Sequence, residues 1–491
     1  MRRDLFCLAA ALPIVLLTWQ RTFRSHRGFV LAMKTITKER FDALCRVKHP
    51  TAACLLSEVE WFSDDEERVL GLVILDNTDQ DWSWIVLGRD EAGLFRAIDM
   101  DSSISTQEEA RRLLSHKLIE HSKTGECVFP QGDVGRDSID LFQPAVSDSS
   151  FHANFRILAN GLHHSSAREM LSELARAFVD VDGNFLKDFQ TTGFNARLWE
   201  LYLHAFLHEQ RFSNNREFNR PDFCTEKDGF AVGIEAVTAN PTEGETLPDP
   251  ENASELRVLR EELMPIKFGR SLTTKLKKRY WELPHMKGMP FVLAIHDFCG
   301  SDSMTWSAPA IEEYLFGLRA SWHKDENGKL HVVENPITEH RWGKRGISSG
   351  FFNQADAEHV SAVLFSNSAT LAKFNRMGKL AGFGSPDVRM IRVGARHDFD
   401  PNATEPIPFT ADVTPGKYAE SWTEGIRIFH NPRALLPIPP GVFEDCAHYF
   451  LDDGVRRAAL PDGFIHFSKT LVLMPKSDLN PSVADQPEPT R

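Results

Sequence analysis

Apolar runs separated by turn residues predict a small antiparallel sheet in the first third of the chain. The runs cover residues 69–75, 82–87 and 94–98, with turn residues such as Asn77 and Gly93 between them. An amphipathic pattern over 107–121 predicts a helix after the sheet. We therefore expect a small α+β domain over residues 33–145.

The middle of the chain has the pattern of a mixed α/β domain. Apolar positions at helical spacing occupy 166–178 and 195–210, and two strand-like runs follow at 221–226 and 230–238. A basic, helix-rich stretch and a short apolar run come next, at 254–283 and 291–295. We expect one domain over 150–300 with its core at 190–300, followed by a mixed α/β region over 301–475.

The two ends of the chain differ from the rest. Residues 1–32 hold MRRD, an apolar stretch of fifteen residues from Leu5 to Trp19, and then a basic segment. About 20 apolar residues are needed to span a bilayer, so this stretch is typical of a signal peptide or an anchor. Met33 followed by a Thr37 helix cap also resembles the start of a soluble protein, and we expect that start. The tail 476–491 is rich in Pro, Ser and Asp and is expected to be disordered.

Composition places the chain among globular proteins. Its 491 residues are 42% hydrophobic and 25% charged, which excludes a wholly disordered, collagenous or coiled-coil chain. The seven cysteines form no CxxC pair, which excludes a zinc ribbon and favours a reducing cytoplasm. The net charge of −13 argues against an evenly basic surface, but a local basic groove stays possible.

The segment TEKDGFAVGIEAVT predicts a hairpin that brings two carboxylates together. Asp228-Gly229 between strand-like runs favours a two-residue type I′ turn. With that loop, Asp222 faces Glu235, and residues so opposed lie about 4.5–5.5 Å apart at Cβ. Their repulsion is removed by a hard cation such as Mg²⁺ or Mn²⁺, which favours carboxylate, water and phosphate oxygens. The alternative is an exposed edge hairpin with two solvated acids, although the apolar residues around Glu235 favour a buried strand.

The helix before the hairpin supplies a third acid. Within an otherwise apolar helix, one polar stripe runs along a single face. Its members are Arg197, Glu200, His204, His208 and Arg211. Glu200 could reach the same metal centre, whereas the alternative is a solvated face on a mostly buried helix.

A cationic run follows the hairpin. Residues 267–287 contain seven basic residues against one acid, Glu282. The basic residues are Lys267, Arg270, Lys275, Lys277, Lys278, Arg279 and Lys287. Lys275 and Lys278 lie beside the apolar stripe, three residues apart, and could face the carboxylates. Cations in that position would contact phosphates, although a solvated basic helix face is the simpler alternative.

The order of these features resembles the PD-(D/E)xK, or restriction-endonuclease-like, nuclease superfamily. The resemblance covers 190–300, about a fifth of the chain, and rests on Glu200, Pro221-Asp222, Ile234-Glu235-Ala236, the basic helix and the apolar strand. It implies an α/β core in which helices flank a mixed central sheet. It also implies that Asp222 and Glu235 bind Mg²⁺, that Glu200 completes the acidic cluster, and that a water attacks the phosphodiester phosphorus.

One position departs from the superfamily pattern. The motif lysine belongs two residues after Glu235, where this chain has Val237. Valine can neither orient a water nor offset phosphate charge. Either a lysine from the basic helix takes over, with Lys275 as the first choice and Lys278 as the second, or the core no longer cleaves.

These features predict a cytoplasmic, Mg²⁺- or Mn²⁺-dependent nuclease that acts on nucleic acid, with DNA expected as the substrate. Lys267, Arg270, Lys277 and Arg279 are the predicted substrate contacts. Two alternatives stay open: an inactive nuclease fold that binds nucleic acid or a protein partner, and a membrane-anchored protein that retains residues 1–32.

Basic and aromatic residues also alternate further along the chain. The loop 341–346 carries Trp342, and Phe351, Phe352 and Phe374 follow among Lys373, Arg376, Lys379, Arg389 and Arg392. Such interleaving is compatible with binding single strands by base stacking. The alternative is that these aromatic residues belong to the core.

Overall fold

The computed structural model describes residues 33–474, apart from 47, 49–51, 53–54, 133–137, 243, 245–246, 249 and 301. The predictions for 1–32 and 476–491 lie outside the described residues. The chain divides into two compact units, Met1–Asp137 and Ser138–Arg491. Across the described ranges, no helix combines the length and apolar character needed to cross a bilayer.

The first unit is a five-stranded antiparallel sheet covered by a helix. Its strands follow each other in chain order: β1 Lys34–Thr35, β2 Leu56–Ser63, β3 Val69–Asp76, β4 Trp82–Arg89 and β5 Phe95–Ile104. A short helix, α1 (Lys38–Leu44), begins at the predicted Thr37 cap. Helix α2 (Gln107–Thr124) buries Leu114 and Leu118 against Val73 and Val86 of the sheet. The predicted strands and helix of this region are confirmed.

The second unit is built on a mixed eight-stranded sheet, so the predicted mixed α/β class is confirmed. Its strand order is β19-β18-β17-β14-β9-β8-β7-β6. The strands are β6 Ser213–Asn215, β7 Phe223–Lys227, β8 Phe230–Ala239, β9 Phe291–Asp297, β14 Ala362–Ser366, β17 Arg427–His430, β18 Ala447–Asp452 and β19 Val455–Ala459. Strands β6, β7 and β8 are antiparallel, whereas β8, β9 and β14 run parallel.

Helices cover both faces of this sheet. They are α3 Ala153–Asn160, α4 Ser165–Ala177, α5 Phe185–Gln190, α6 Phe194–Glu209, α7 Ala253–Val258, α8 Met264–Leu276, α9 Ala308–Phe316 and α10 Leu371–Leu380, with a π-helical turn at Leu259–Leu263 between α7 and α8. Every residue of β9 is buried, as expected of a central parallel strand. Leu293 and Ile295 join the cluster that contains residues of α8, whereas the side chain of His296, the next residue along, contacts the Trp199 ring of α6. Because side chains alternate along a strand, α6 and α8 lie on opposite faces.

The hairpin β7–β8 has the predicted register. Lys227 pairs with Phe230 and Phe223 pairs with Ile234, around a turn in which Asp228 and Gly229 have φ of 52° and 80°. Two positive φ angles define the type I′ turn that Asp-Gly favours.

The region after residue 300 completes the same sheet. Strands β14, β17, β18 and β19 extend it beyond β9, so residues on both sides of the predicted boundary at 300/301 share one sheet. The remaining strands form two hairpins and a three-stranded sheet of order β16-β15-β20. Their bounds are β10 Leu318–Lys324, β11 Leu330–Pro336, β12 Glu339–Trp342, β13 Arg345–Ser348, β15 Arg389–Arg396, β16 Ile407–Asp412 and β20 Ile465–Leu473.

Candidate active site

Asp222, the residue before β7, lies beside Glu235 in the middle of β8. The Asp222 backbone N–H donates to Glu235 Oε2 over 3.3 Å, and the Ala236 N–H donates to Asp222 Oδ2 over 2.7 Å. Each carboxylate is therefore held by the backbone of the opposite strand. Glu235 is 2% exposed, so the buried strand is observed and the exposed edge hairpin is not.

Gly233 allows the chain before β7 to approach β8. A Cβ at this position would lie 3.1 Å from Pro221 Cγ and closer still to the Met286 side chain. Carbon atoms in contact normally lie about 3.5–4.0 Å apart, so the space exists only because residue 233 has no side chain. The close approach of Pro221 to β8 fixes the position of the next residue, Asp222, beside Glu235.

Lys275 contributes the cation that the strand lacks. It lies in the last turn of α8, and its Nζ donates to Glu235 Oε1. Val237, at the position of the motif lysine, is 2% exposed and belongs to the apolar cluster with Leu272 and Leu276 of α8. Lys278 lies beyond the end of α8 and is exposed. Of the two lysines considered from the sequence, the structure brings Lys275 to the carboxylates.

Glu200 of α6 lines the same site, on the side opposite helix α8. Arg197 Nη1 donates to both of its carboxylate oxygens, at 3.2 and 3.0 Å. Arg197 Nη2 also donates to Asp188 Oδ2 over 2.7 Å. The carboxylate of Glu200 is thus paired with an arginine one helical turn away rather than with Lys275.

The three carboxyl groups resist ionisation. Burial, reinforced by the negative charge of Asp222, raises the pKa of Glu200 to about 8 and that of Glu235 to about 7. Burial also raises the pKa of Asp222, against the opposing effect of Lys275. Burial alone would lower the pKa of Lys275, but the charges of Glu235 and Asp222 raise it. If all three carboxyl groups were ionised, their negative charge would exceed the positive charge of Lys275 and Arg197.

These groups open into a cleft of about 370 Å³. Helix α8 forms one wall with Arg270, Ser271, Thr274 and Lys275, and Ser271 Oγ donates to the Thr238 carbonyl over 3.0 Å. Thr274 Oγ1 likewise donates to the Arg270 carbonyl over 2.7 Å, so the exposed Arg270 is the group of this wall that is suited to an anionic ligand.

The other predicted substrate contacts lie elsewhere on the basic segment. Lys267 donates to Thr242 Oγ1 over 2.5 Å and faces a second cavity. Lys277 is exposed, and Arg279 pairs with Glu282 over 2.9 Å and Asp356 over 3.7 Å. Only Arg270 among the four lines the cleft that contains the carboxylates.

The donor set of the cleft fits a hard divalent cation. Asp222 and Glu235 offer carboxylate oxygens in one partly dehydrated place, and their raised pKa values show that added positive charge would be stabilising. No group of three or more His, Cys, Asp or Glu side chains within the described residues is arranged to hold a metal ion. The cleft therefore fits a cation that two carboxylates hold, with water and substrate oxygens as its other ligands.

Sequence reasoning missed the role of two arginines. Arg197 was noted only as part of the polar stripe, although its position three residues before Glu200 is the spacing of an ion pair on a helix. Arg216 donates from Nη1 to the Asp222 carbonyl over 3.1 Å, and its guanidinium lies over Phe178 and Phe223. Arg216 thus holds the backbone at Asp222, and its contact with the distant Phe178 has no local sequence signal.

Comparisons of the chain with family models, curated proteins and solved structures found no match.

Proposed function

We propose that this protein is a divalent-cation-dependent nuclease that hydrolyses phosphodiester bonds, with its site at Asp222, Glu235 and Lys275. The observation that carries the proposal is the contact of Lys275 with Glu235. A lysine ammonium, two adjacent carboxylates and an open cleft occur together, although the lysine comes from a helix rather than from the strand.

The connectivity around the cleft supports the same proposal. Helix α6 leads into the antiparallel strands β6, β7 and β8, and the chain then passes through α8 to β9, which runs parallel to β8. A helix, a three-stranded meander, a second helix and a parallel strand are the order expected of a restriction-endonuclease-like core. The two motif acids would then come from the start of β7 and from β8.

Asp222 and Glu235 would hold Mg²⁺ or Mn²⁺, and Glu200 would add negative charge from α6. When bound, the cation supplies Lewis-acid stabilisation of phosphate charge and makes a nearby water more acidic. Lys275 would keep Glu235 oriented and offset the negative charge that builds on the phosphate. Arg270 would contact a phosphate on the exposed side of α8.

The test is cleavage of plasmid, linear duplex, single-stranded DNA and RNA by purified protein with Mg²⁺, Mn²⁺ or EDTA. We expect cleavage with either metal, loss of cleavage with EDTA, and loss of cleavage in Asp222→Asn and Glu235→Gln. Glu226→Gln is the matched control, because Glu226 lies on β7 but is exposed, and it should cleave like the wild type. Cleavage that survives Asp222→Asn or Glu235→Gln would refute the proposed site.

The position of Val237 favours one second candidate, an inactive nuclease fold that binds nucleic acid. That candidate predicts salt-dependent binding of oligonucleotides with no metal-dependent turnover on any of the four substrates. The same panel therefore separates the two functions.

A further inference from the structure

A second cavity lies against helix α8, beside the candidate active site. It has a volume of about 600 Å³, within the range of about 300–1,000 Å³ typical of small-molecule sites. Its lining includes Lys267 of α8 and Trp342, Lys344 and Arg345 of the hairpin β12–β13. Leu263 adds apolar surface, and the described residues that line the cavity include no acid.

The hairpin that carries three of these residues is anchored firmly to the helix. Trp342 pairs with Arg345 around the turn Gly343-Lys344, so all three side chains are at the tip. Behind the tip, buried His340 has Nδ1 2.7 Å from the Glu261 carbonyl and Nε2 2.9 Å from Ser349 Oγ. The contact with Glu261 holds the hairpin against the π-helical turn that leads into α8.

Gly269 brings hairpin and helix still closer together. A Cβ on Gly269 would clash with the side chains of Ile347 and Tyr314, so the hairpin packs directly against the backbone of α8. The wall that carries Trp342 is therefore preorganised, which reduces the ordering cost of binding a ligand.

Both cavities lie along helix α8. Lys267 lines the second cavity, while Ser271, one turn further along α8, lines the cleft with the carboxylates. Lys275 is eight residues from Lys267, about 12 Å at 1.5 Å per residue. At about 3.4 Å per nucleotide along a stacked strand, this separation corresponds to three or four nucleotides.

We infer that the second cavity is a nucleotide subsite that accepts an unpaired base of a single-stranded nucleic acid, about three or four nucleotides from the bond that is cut. The indole of Trp342 offers a stacking surface, and stacking on an aromatic side chain is tolerant of base identity. Lys267, Lys344 and Arg345 supply the charge for the adjoining phosphates. A base inside a duplex is stacked and cannot enter a cavity, so the strand must be unpaired here.

This inference rests on the proposed function for the position of the bond that is cut, but its test needs no cleavage. Binding of labelled oligonucleotides is measured by fluorescence anisotropy in EDTA, with single-stranded DNA, single-stranded RNA and blunt duplex of the same sequence. Trp342→Ala should weaken single-strand binding about tenfold, whereas Trp342→Phe should retain most of the affinity. Duplex binding should change much less, and tighter binding of DNA or RNA would identify the preferred sugar.

Lys344 gives a variant with little risk to folding, because it is exposed at the hairpin turn. Lys344→Ala should weaken single-strand binding and reduce the slope of log K against log salt by about 0.7. The matched controls are Trp322→Ala and Lys324→Ala in the neighbouring hairpin β10–β11, where Trp322 is 58% exposed and outside both cavities.

The inference is overturned if Trp342→Ala and Lys344→Ala bind single strands as tightly as the two controls. It is also overturned if Trp342→Ala weakens duplex and single strand equally, or if the wild type binds no oligonucleotide. Its failure can be told from failure of the proposed function. Asp222→Asn should lose cleavage yet keep single-strand affinity, so a protein that does not cleave can still show binding that depends on Trp342.

Discussion

The second unit contains two clusters of buried charged residues. Both combine carboxylates with lysine and arginine, but they differ in the ratio of acidic to basic groups. At the candidate active site, three carboxylates face Lys275 and Arg197 beside an open cleft. In the second cluster, the fully buried Glu420 receives hydrogen bonds from several donors at 2.6–2.8 Å. The donors are Lys373, Arg376 and Tyr418, and Arg392 lies 3.5 Å away.

Because basic groups outnumber carboxylates around Glu420 and carboxylates outnumber basic groups at the cleft, the carboxyl pKa values shift in opposite directions. Burial alone would raise the pKa of Glu420, but Arg376, Lys373 and Arg392 hold it well below its usual value. The pKa of Lys373 is also lowered, because burial outweighs the carboxylate that it shares with the two arginines. At the cleft, by contrast, burial and mutual repulsion raise the pKa of Glu200 and Glu235.

The comparison teaches that buried charge alone does not indicate a functional site. The Glu420 cluster is complete and sealed, so its role is to hold α10 and the strand β15 in place. The cleft has three carboxyl groups that resist ionisation and an opening to solvent, which are the features that the proposed cation site requires. The predictions below test this difference, from the largest expected effect on stability to the smallest.

Glu420→Gln should lower the free energy of unfolding by about 3–5 kcal/mol, because it leaves buried Lys373 and Arg376 without their anion, whereas Arg392 keeps Glu424 at 2.6 Å. Urea unfolding followed by circular dichroism measures the change. Glu444→Gln is the matched control, since Glu444 is half exposed and pairs with Arg211 and Lys227 at 3.1 Å. The control should cost less than about 1 kcal/mol. Equal losses in the two variants would contradict the role given to Glu420.

Stability of the metal-free protein should depend on pH in opposite directions at the two clusters. The folded pKa of Glu235 and Glu200 is raised, so their contribution is fully present below about 4.5 and is lost as pH rises to about 7–8. The folded pKa of Glu420 is depressed, so its contribution is present above about 4.5 and is lost as pH falls.

Glu235→Gln isolates the effect of the cleft. In EDTA at pH 8 this variant should be more stable than the wild type by on the order of 2 kcal/mol, and the two should be alike at pH 5. Mg²⁺ or Mn²⁺ should then stabilise the wild type at pH 8, by about 2.7 kcal/mol at a hundred times Kd, and leave Glu235→Gln unchanged. If the stability of the wild type depends on neither pH nor metal, the proposed repulsion among the carboxylates of the cleft is refuted.

Gly233→Ala should disturb the cleft without changing any charge. The added methyl group would push Pro221 and Met286, which should cost about 1–2 kcal/mol of stability and shift Asp222. Cleavage should fall about tenfold for the same reason. Gly441→Ala is the control, because a Cβ there meets nothing within 4 Å. If Gly233→Ala cleaves as fast as that control, Pro221 does not position the acid.

Local patterns in the sequence predicted much of this architecture. The Asp228-Gly229 turn fixed the register of β7 and β8, and that register alone placed Asp222 opposite Glu235. The spacing along α8 placed Lys275 beside the apolar stripe, and its Nζ contacts Glu235. These successes share one cause: turn chemistry and helical periodicity act between residues that are close in sequence.

Features that depend on distant contacts could not be predicted from these patterns. Strands β14 and β17 join β9 across long stretches of chain, so the continuation of the sheet beyond residue 300 had no local signal. In the sequence, Lys373, Arg376 and Arg392 stand among interleaved basic and aromatic residues, but their common partner Glu420 is 28–47 residues away. Phe351, Phe352 and Phe374 are core residues, which leaves Trp342 as the aromatic residue of that interleaved set that lines a cavity.

The most direct test of the central claim compares Lys275 with Lys278, which lie three residues apart in the same basic segment. Single-turnover cleavage in Mn²⁺ is measured for Lys275→Met and Lys278→Met, with Mn²⁺ binding by calorimetry as a check that the carboxylates are intact. The account predicts that Lys275→Met binds Mn²⁺ but cleaves at least about a hundredfold more slowly than the wild type, while Lys278→Met stays within about twofold. Equal rates in the two variants would contradict it.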